Sequence, residues 1–253
     1  KFFDMNADGV IDQVIRYSYD DKGNVIEEHT DNDPGSLAVK NADGTYTYTG
    51  EMGDIDKIVF FEYSDTLVDV ETGKPVLLRK LTNTDGKVTT GEDATNAATG
   101  EEYNGIDTIE TYIPNQDGQI VRVNYDNNGD GTPDKIQYLT LDKYGNVLKE
   151  FWDADAKEST QGTGTYTWVD ENGVTQTLKG IDQVKEHTLN AKGEVIKTEY
   201  DNNADTTVDA VDYFVRDANG NLVEKYVNAD NKETTGNTKT INGVEVKGID
   251  KAE

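Results

Sequence analysis

The chain is 253 residues long and carries 50 Asp and Glu against 24 Lys and Arg, a formal charge of −26; phosphate backbones are held by clustered Lys and Arg, so this balance excludes a nucleic-acid partner. Hydrophobic residues make up 34% and cysteine is absent, which argues against one large apolar core and rules out a disulfide framework. No apolar run approaches the roughly 20 residues of a membrane span, so no membrane insertion is expected.

With 14 Tyr and many Val and Ile, the chain differs from disordered sequences. Small, separate cores in a repeat array suit this composition. Asp-x-Ile, Asp-x-Val or a close variant opens successive units at Asp12, Asp56, Asp107, Asp134, Asp182 and Asp209, and Ile249-Asp250 begins another. A strand-like run follows most of them, then a turn. The turns are Asp20–Gly23, Asn115–Gly118, Asp142–Gly145, Asn190–Gly193 and Asp217–Gly220. Asp or Asn opens a type I turn and Gly takes the left-handed position after it. The returning strands alternate, as in Val121, Val123, Tyr125 and in Ile196, Thr198, Tyr200, the period of a half-buried strand. In the second unit the turn is placed at Glu71-Thr72-Gly73-Lys74, without an opening Asp or Asn.

Two kinds of junction join the hairpins. Short ones are nine-residue acidic loops. Long ones span 31–53, 82–105, 153–180 and 228–248, and Asn172-Gly173 and Asn242-Gly243 predict a small hairpin with a type I′ turn in two of them. One long and one short junction make a larger repeat of roughly 70 residues. The expected divisions are 1–105 (divergent hairpin repeats), 106–180 (a repeat with one acidic loop) and 181–253 (a repeat with a degenerate loop and the start of the next unit). The chain begins and ends inside its own pattern, as a piece of a longer array would. The predicted fold is all-β: an elongated array of tandem β-hairpin units joined by acidic calcium-binding loops.

The acidic loops carry the chemistry. Asp126, Asn128, Asp130 and Asp134 follow D-x-N-x-D-G-x-x-D, and so do Asp4, Asn6, Asp8 and Asp12. Calcium takes six to eight oxygen ligands at roughly 2.3–2.6 Å. Positions 1, 3, 5 and 9 offer side-chain oxygens, and the carbonyls of Thr132 and Val10 fit position 7. A third copy runs through Asp201, Asn203, Asp205, Thr207 and Asp209, with Thr206 where the others have glycine. The alternative is a set of acidic Asx turns without metal. The long junctions open on acids or amides and end in Ile-Asp. One reading is a cation loop split by an insertion, so that Asp153 and Asp155 meet Asp182, and Asp31 and Asp33 meet Asp56. The other is a solvated loop with an aspartate at a strand start.

Over nine residues these loops resemble EF-hand, dockerin and thrombospondin type 3 loops. They depart from the EF-hand at its twelfth position, where Ile15 and Gln137 replace the bidentate glutamate. As a whole, the chain looks like the repeat regions of large bacterial surface adhesins of the biofilm-associated, type I-secreted kind. The hairpins with Tyr-Asp and Gly-Asn are also similar to the YD repeats of bacterial shell-forming toxins, here interrupted by the long junctions. The G-G-x-G-x-D nonapeptides of RTX rolls are absent. The adhesin resemblance implies an extracellular or cell-surface segment, structural or adhesive, with calcium as its cofactor. Expected partners are calcium ions, with a host or biofilm surface ligand or self-association left open.

No enzyme is expected. There is no G-x-S-x-G, H-E-x-x-H or phosphate-loop pattern, and His29 and His187 lie in different hairpins. Two alternatives stand beside the structural reading: a calcium-dependent glycan- or ligand-binding module, with Phe151, Trp152, Tyr166, Trp168 and Tyr226 as platform candidates, and a non-catalytic part of a secreted enzyme or toxin.

Overall fold

The computed structural model describes residues 1–87, 91–96, 99–100, 102–157, 164–234 and 236–253. It is all-β. Fourteen strands form one sheet whose order follows the chain, and four two-stranded sheets stand apart from it. Six hairpins build the large sheet: Gln13–Tyr19 with Val25–Asp31, Lys57–Val68 with Pro75–Asn83, Thr108–Pro114 with Ile120–Asp126, Lys135–Leu141 with Val147–Asp153, Gln183–Leu189 with Val195–Asp201, and Ala210–Arg216 with Leu222–Asn228. Short strands Phe2–Phe3 and Lys251–Ala252 flank them. No helix among the described residues is long and apolar enough to cross a membrane.

Local chemistry makes the hairpins. In the turn after Tyr19, Gly23 N–H donates to the Asp20 carbonyl at 3.1 Å, and Asp20 Oδ1 accepts the N–H groups of Lys22 and Asn24. The turns opened by Asn115, Asp142, Asn190 and Asp217 repeat this bonding. The strand register shifts by one residue beside four of these turns, between Ser18 and Tyr19, Thr140 and Leu141, Thr188 and Leu189, and Val215 and Arg216. That is the bulge expected of a type I turn followed by a left-handed glycine. The second unit obeys the rule after all. Asp69 opens its turn, accepting the N–H groups of Glu71 and Thr72, and one extra residue separates it from Gly73.

All four long junctions hold an inserted hairpin: Ala38–Lys40 with Tyr46–Tyr48, Glu92–Thr95 with Glu102–Ile106, Tyr166–Val169 with Thr175–Leu178, and Asn237–Ile241 with Val244–Ile249. The sequence signals two of them. The Asn242-Gly243 turn has both residues at positive φ, 51° and 81°, as a type I′ turn requires. The Asn172-Gly173 turn does not. Asp170 accepts the Gly173, Asn172 and Val174 N–H groups and imposes the type I turn of the main hairpins.

The chain divides into two compact units, residues 1–112 with 124–134, and 113–123 with 135–253. The first holds a core of Leu81, Tyr103, Ile106 and Ile109, with Phe60 stacked on Tyr103 at 4.4 Å. The second holds two. In the larger, Val121, Phe151 and Val184 of the sheet meet Trp168 and Leu178 of an inserted hairpin. In the other, Tyr226 meets Ile241 and Ile249. Within each unit an inserted hairpin thus covers part of the sheet, and cores this small explain how a chain so poor in apolar residues folds.

Candidate cation junctions

Seven junctions link the strands of the sheet among the described residues, and one framework underlies them all. Each ends in an aspartate whose N–H donates back to a carbonyl of the preceding strand. The seven donors are Asp12, Asp56, Asp107, Asp134, Asp182, Asp209 and Asp250, and the distances run from 2.7 to 2.9 Å. The same aspartate accepts, on Oδ2, the N–H of the junction's second residue. These donors are Met5, Asn32, Thr84, Asn127, Ala154, Asn202 and Ala229, at 2.6–2.8 Å. The fourth residue is left-handed in six of the seven: Ala7, Gly86, Gly129, Ala156, Ala204 and Asn231 have φ between 48° and 74°. The exception is Pro34, whose ring holds φ at −60°.

Within the short loops the side chains predicted from sequence curl the backbone. Asp126 accepts Gly129 N–H on one oxygen and Gly131 N–H on the other, both at 2.7 Å. Asn128 accepts from Asp130, and Asp130 from Thr132. Asp4, Asn6, Asp8 and Val10 repeat the pattern, with Gly9 donating to Asp4 at 2.9 Å. Asp201, Asn203, Asp205 and Thr207 repeat it again. Thr206 takes the glycine role at φ 76° and donates to Asp201 Oδ2 at 2.8 Å. Its neighbour Asp205 sits below the ordinary carboxyl range because the Thr207 N–H bonds it. A carboxylate has about four lone-pair sites, so oxygens holding these N–H groups keep capacity for a cation.

Sequence position hid how buried the first residue is. Asp31, Asn83, Asp126, Asp153, Asp201 and Asn228 are all at most 7% exposed, whereas Asp4 is exposed. Among the described residues two groups of three carboxylates have oxygens within 4.8 Å of one another: Asp31, Asp33, Asp56 and Asp153, Asp155, Asp182. Both are in hairpin-bearing junctions, where the predicted meetings of Asp153 and Asp155 with Asp182 and of Asp31 and Asp33 with Asp56 occur. The short loops have Asn at the third position, so an amide replaces one acid. Burial pushes the Asp153 carboxyl up, and the charges of Asp155 and Asp182 add to this against the N–H groups of Asp155 and Lys157. Two unit charges that far apart repel by about 3.5 kcal/mol at an effective dielectric of 20.

Two inserted hairpins reach into the junctions. Tyr48 donates its hydroxyl to Asp31 Oδ2, and Tyr166 to Asp201 Oδ2, each at 2.7 Å. Burial, then the acceptor, pushes both phenols up. Shared Gly-Thr-Tyr-Thr stretches at 44–47 and 164–167 were a signal for these hairpins.

The aromatic platform candidates go elsewhere. Phe151, Trp168 and Tyr226 are buried, and Trp168 donates Nε1–H to the Leu139 carbonyl. Trp152 lies on the other sheet face, with Lys135 Nζ 3.8 Å from its ring centre. There Glu150 accepts Gln137 at 2.9 Å and Trp152 Nε1–H at 3.0 Å, and His187 Nε2 lies 3.0 Å away. A neutral His187 therefore carries its proton on Nε2 and accepts from Thr198 on Nδ1, 2.9 Å away. His29 Nε2 lies 2.7 Å from Glu27.

No protein-family model matches the chain, and no curated protein matches it. Among solved structures, TcdB2-TccC3-TEV is similar over 92% of this chain at 14% identity with a TM-score of 0.25, and the chain spans 13% of its length. A porin-like protein from Bacteroides uniformis ATCC 8492 is similar over 88% of this chain and 90% of its own, at 12% identity and a TM-score of 0.22. Likenesses this low bear on neither the fold nor the function.

Proposed function

We propose that this chain is a calcium-stabilised structural or adhesive segment of a secreted or cell-surface bacterial protein. The observation that supports it is the D-x-N-x-D-G-x-x-D loop, present twice intact and once with Thr206, and set each time on the framework that joins a strand of the sheet to the hairpin that follows. Oxygen donors at those positions suit a hard cation, and extracellular modules of this kind bind calcium at about 10⁻⁴–10⁻³ M. The ion neutralises clustered carboxylates and links the ends of successive hairpins, so binding stiffens the junction. The charge of −26 works against the compact state until cations offset it.

The test is thermal unfolding with X-ray scattering, in chelator and through a calcium titration, with magnesium as control. A calcium-specific rise in Tm with a change in dimensions is expected. An unchanged Tm and scattering curve would leave the loops as ordinary turns and overturn the proposal.

A further inference from the structure

Resting on that reading, we infer that the hairpin-bearing junctions are divalent-cation sites of the same construction as the short loops, each opened after its fifth position by an inserted hairpin and closed again by the same terminal aspartate. The first residue, the left-handed fourth residue and the aspartate closure of the short loop recur at 83–107, 153–182 and 228–250. At 31–56 the closure recurs, and Pro34 replaces the left-handed residue.

The observation that points to a ligand is at Asn228. This side chain is 3% exposed, and its Oδ1 is buried without a hydrogen-bond partner. Buried acceptors are nearly always satisfied, so one left open at the first position of a cation-loop framework marks a missing partner. Its amide nitrogen lies against Gly248: a Cβ on that glycine would come within 2.7 Å of Nδ2 and 2.2 Å of the Lys232 carbonyl. Asp250 closes this junction, through Ala229 N–H at 2.8 Å. A donor such as water satisfies one lone pair of an amide oxygen. A hard cation satisfies it and also balances Asp250, beside Asp230, which already has Lys232 Nζ 3.5 Å away.

The junction at 153–182 is the acid-rich version. Asp153 takes the place of Asn228, and its oxygens, with those of Asp155 and Asp182, already lie within 4.8 Å of one another. Three carboxylates gathered there, one of them 3% exposed, equal the group at 31–56 and outnumber by one the acids Asp230 and Asp250 of the 228 junction. The expected order of calcium affinity is therefore the 153 junction above the 228 junction.

The experiment is equilibrium dialysis of the full chain against calcium alone, counting bound ions in the parent, Asp130→Asn, Asp155→Asn, Asp230→Asn and Asn228→Asp. Each Asp→Asn change keeps the Oδ1 that accepts a loop N–H. More than three ions per chain are expected, with one lost, or weakened at least tenfold, in Asp155→Asn and in Asp230→Asn. Asn228→Asp is expected to tighten one site. A count of three or fewer that falls in Asp130→Asn but not in Asp155→Asn or Asp230→Asn, with Asn228→Asp unchanged, would overturn this inference and leave the short-loop reading standing. No bound calcium in any variant would overturn both. Asn228→Asp adds a charge without removing a bond, so it decides the matter even where an Asp→Asn variant fails to fold.

Discussion

Thr206 occupies a backbone position that its side chain opposes. Its φ of 76° lies in the left-handed region, which costs a non-glycine residue roughly 1–2 kcal/mol. It is held there because its N–H donates to Asp201. Thr206→Gly is therefore expected to stabilise the chain by about 0.5–1 kcal/mol, after the larger unfolded-state freedom of glycine is subtracted. A higher urea midpoint in calcium-free buffer would show it. Gly129 poses the opposite problem. Its φ is 74°, and a Cβ there would sit 2.4 Å from the Ile106 carbonyl oxygen. Gly173 has φ 76° with open space around it. Gly129→Ala combines the conformational penalty with a clash of about 1–3 kcal/mol, while Gly173→Ala carries the first alone. Urea unfolding of the two variants is expected to separate them by at least 1 kcal/mol, and equal losses would mean that the junctions do not pack as closely as Gly129 implies.

At the scale of the hairpin the sequence was open to reading, because the information is local. Asp or Asn at the turn start and Gly three residues on specify the bend, and alternation specifies the faces. Asp69 escaped because one added residue broke the spacing. The inserted hairpin at 38–48 escaped although Asn41 and Gly44 carry the same turn signal, because its strands are three residues each, and the one at 92–106 escaped because, as at Asp69, one added residue separates Asn96 from Gly100. What neighbouring strands do to each other was not legible, since cross-strand partners are far apart in sequence. The Glu150 network is the clearest case. Lys185 faces Glu150 across one strand pair, and His187 reaches it from the same strand. Burial pushes the Glu150 carboxyl up, but the His187 hydrogen bond, the Lys185 charge and the Trp152 N–H outweigh this and bring it down to about 2. A folded-state value below the unfolded one means stability present above the ordinary carboxyl range and lost as pH falls toward about 2. Glu150→Gln keeps an acceptor and removes the charge. Urea unfolding at pH 6, 4 and 2.5 is expected to show a smaller acid loss in the variant than in the parent. Parallel pH profiles would show that the network does not hold Glu150 ionised.

Over the whole molecule, charge sets the balance. A net −26 repels itself, and two different remedies are available to it. Monovalent salt screens: the Debye length falls from about 30 Å at 0.01 M to about 10 Å at 0.1 M. A bound cation instead adds RT ln(1 + [L]/Kd), about 2.7 kcal/mol per site at a hundredfold excess over Kd. The first acts on exposed charges everywhere and the second at particular junctions, so one variant separates them. Asp134 accepts the Asn127 N–H and closes the loop. Asp134→Asn leaves an acceptor there but takes one charge from the ligand set. In chelator, the parent and Asp134→Asn are expected to gain the same Tm increment between 0.05 and 0.5 M sodium chloride, within the order of 1 °C, because one charge in so many hardly alters screening. At fixed sodium chloride, millimolar calcium is expected to raise the parent by more than it raises the variant, the gap being the contribution of one site. Equal calcium increments would make calcium a screening ion in this chain, and the junctions would then owe their order to hydrogen bonds alone.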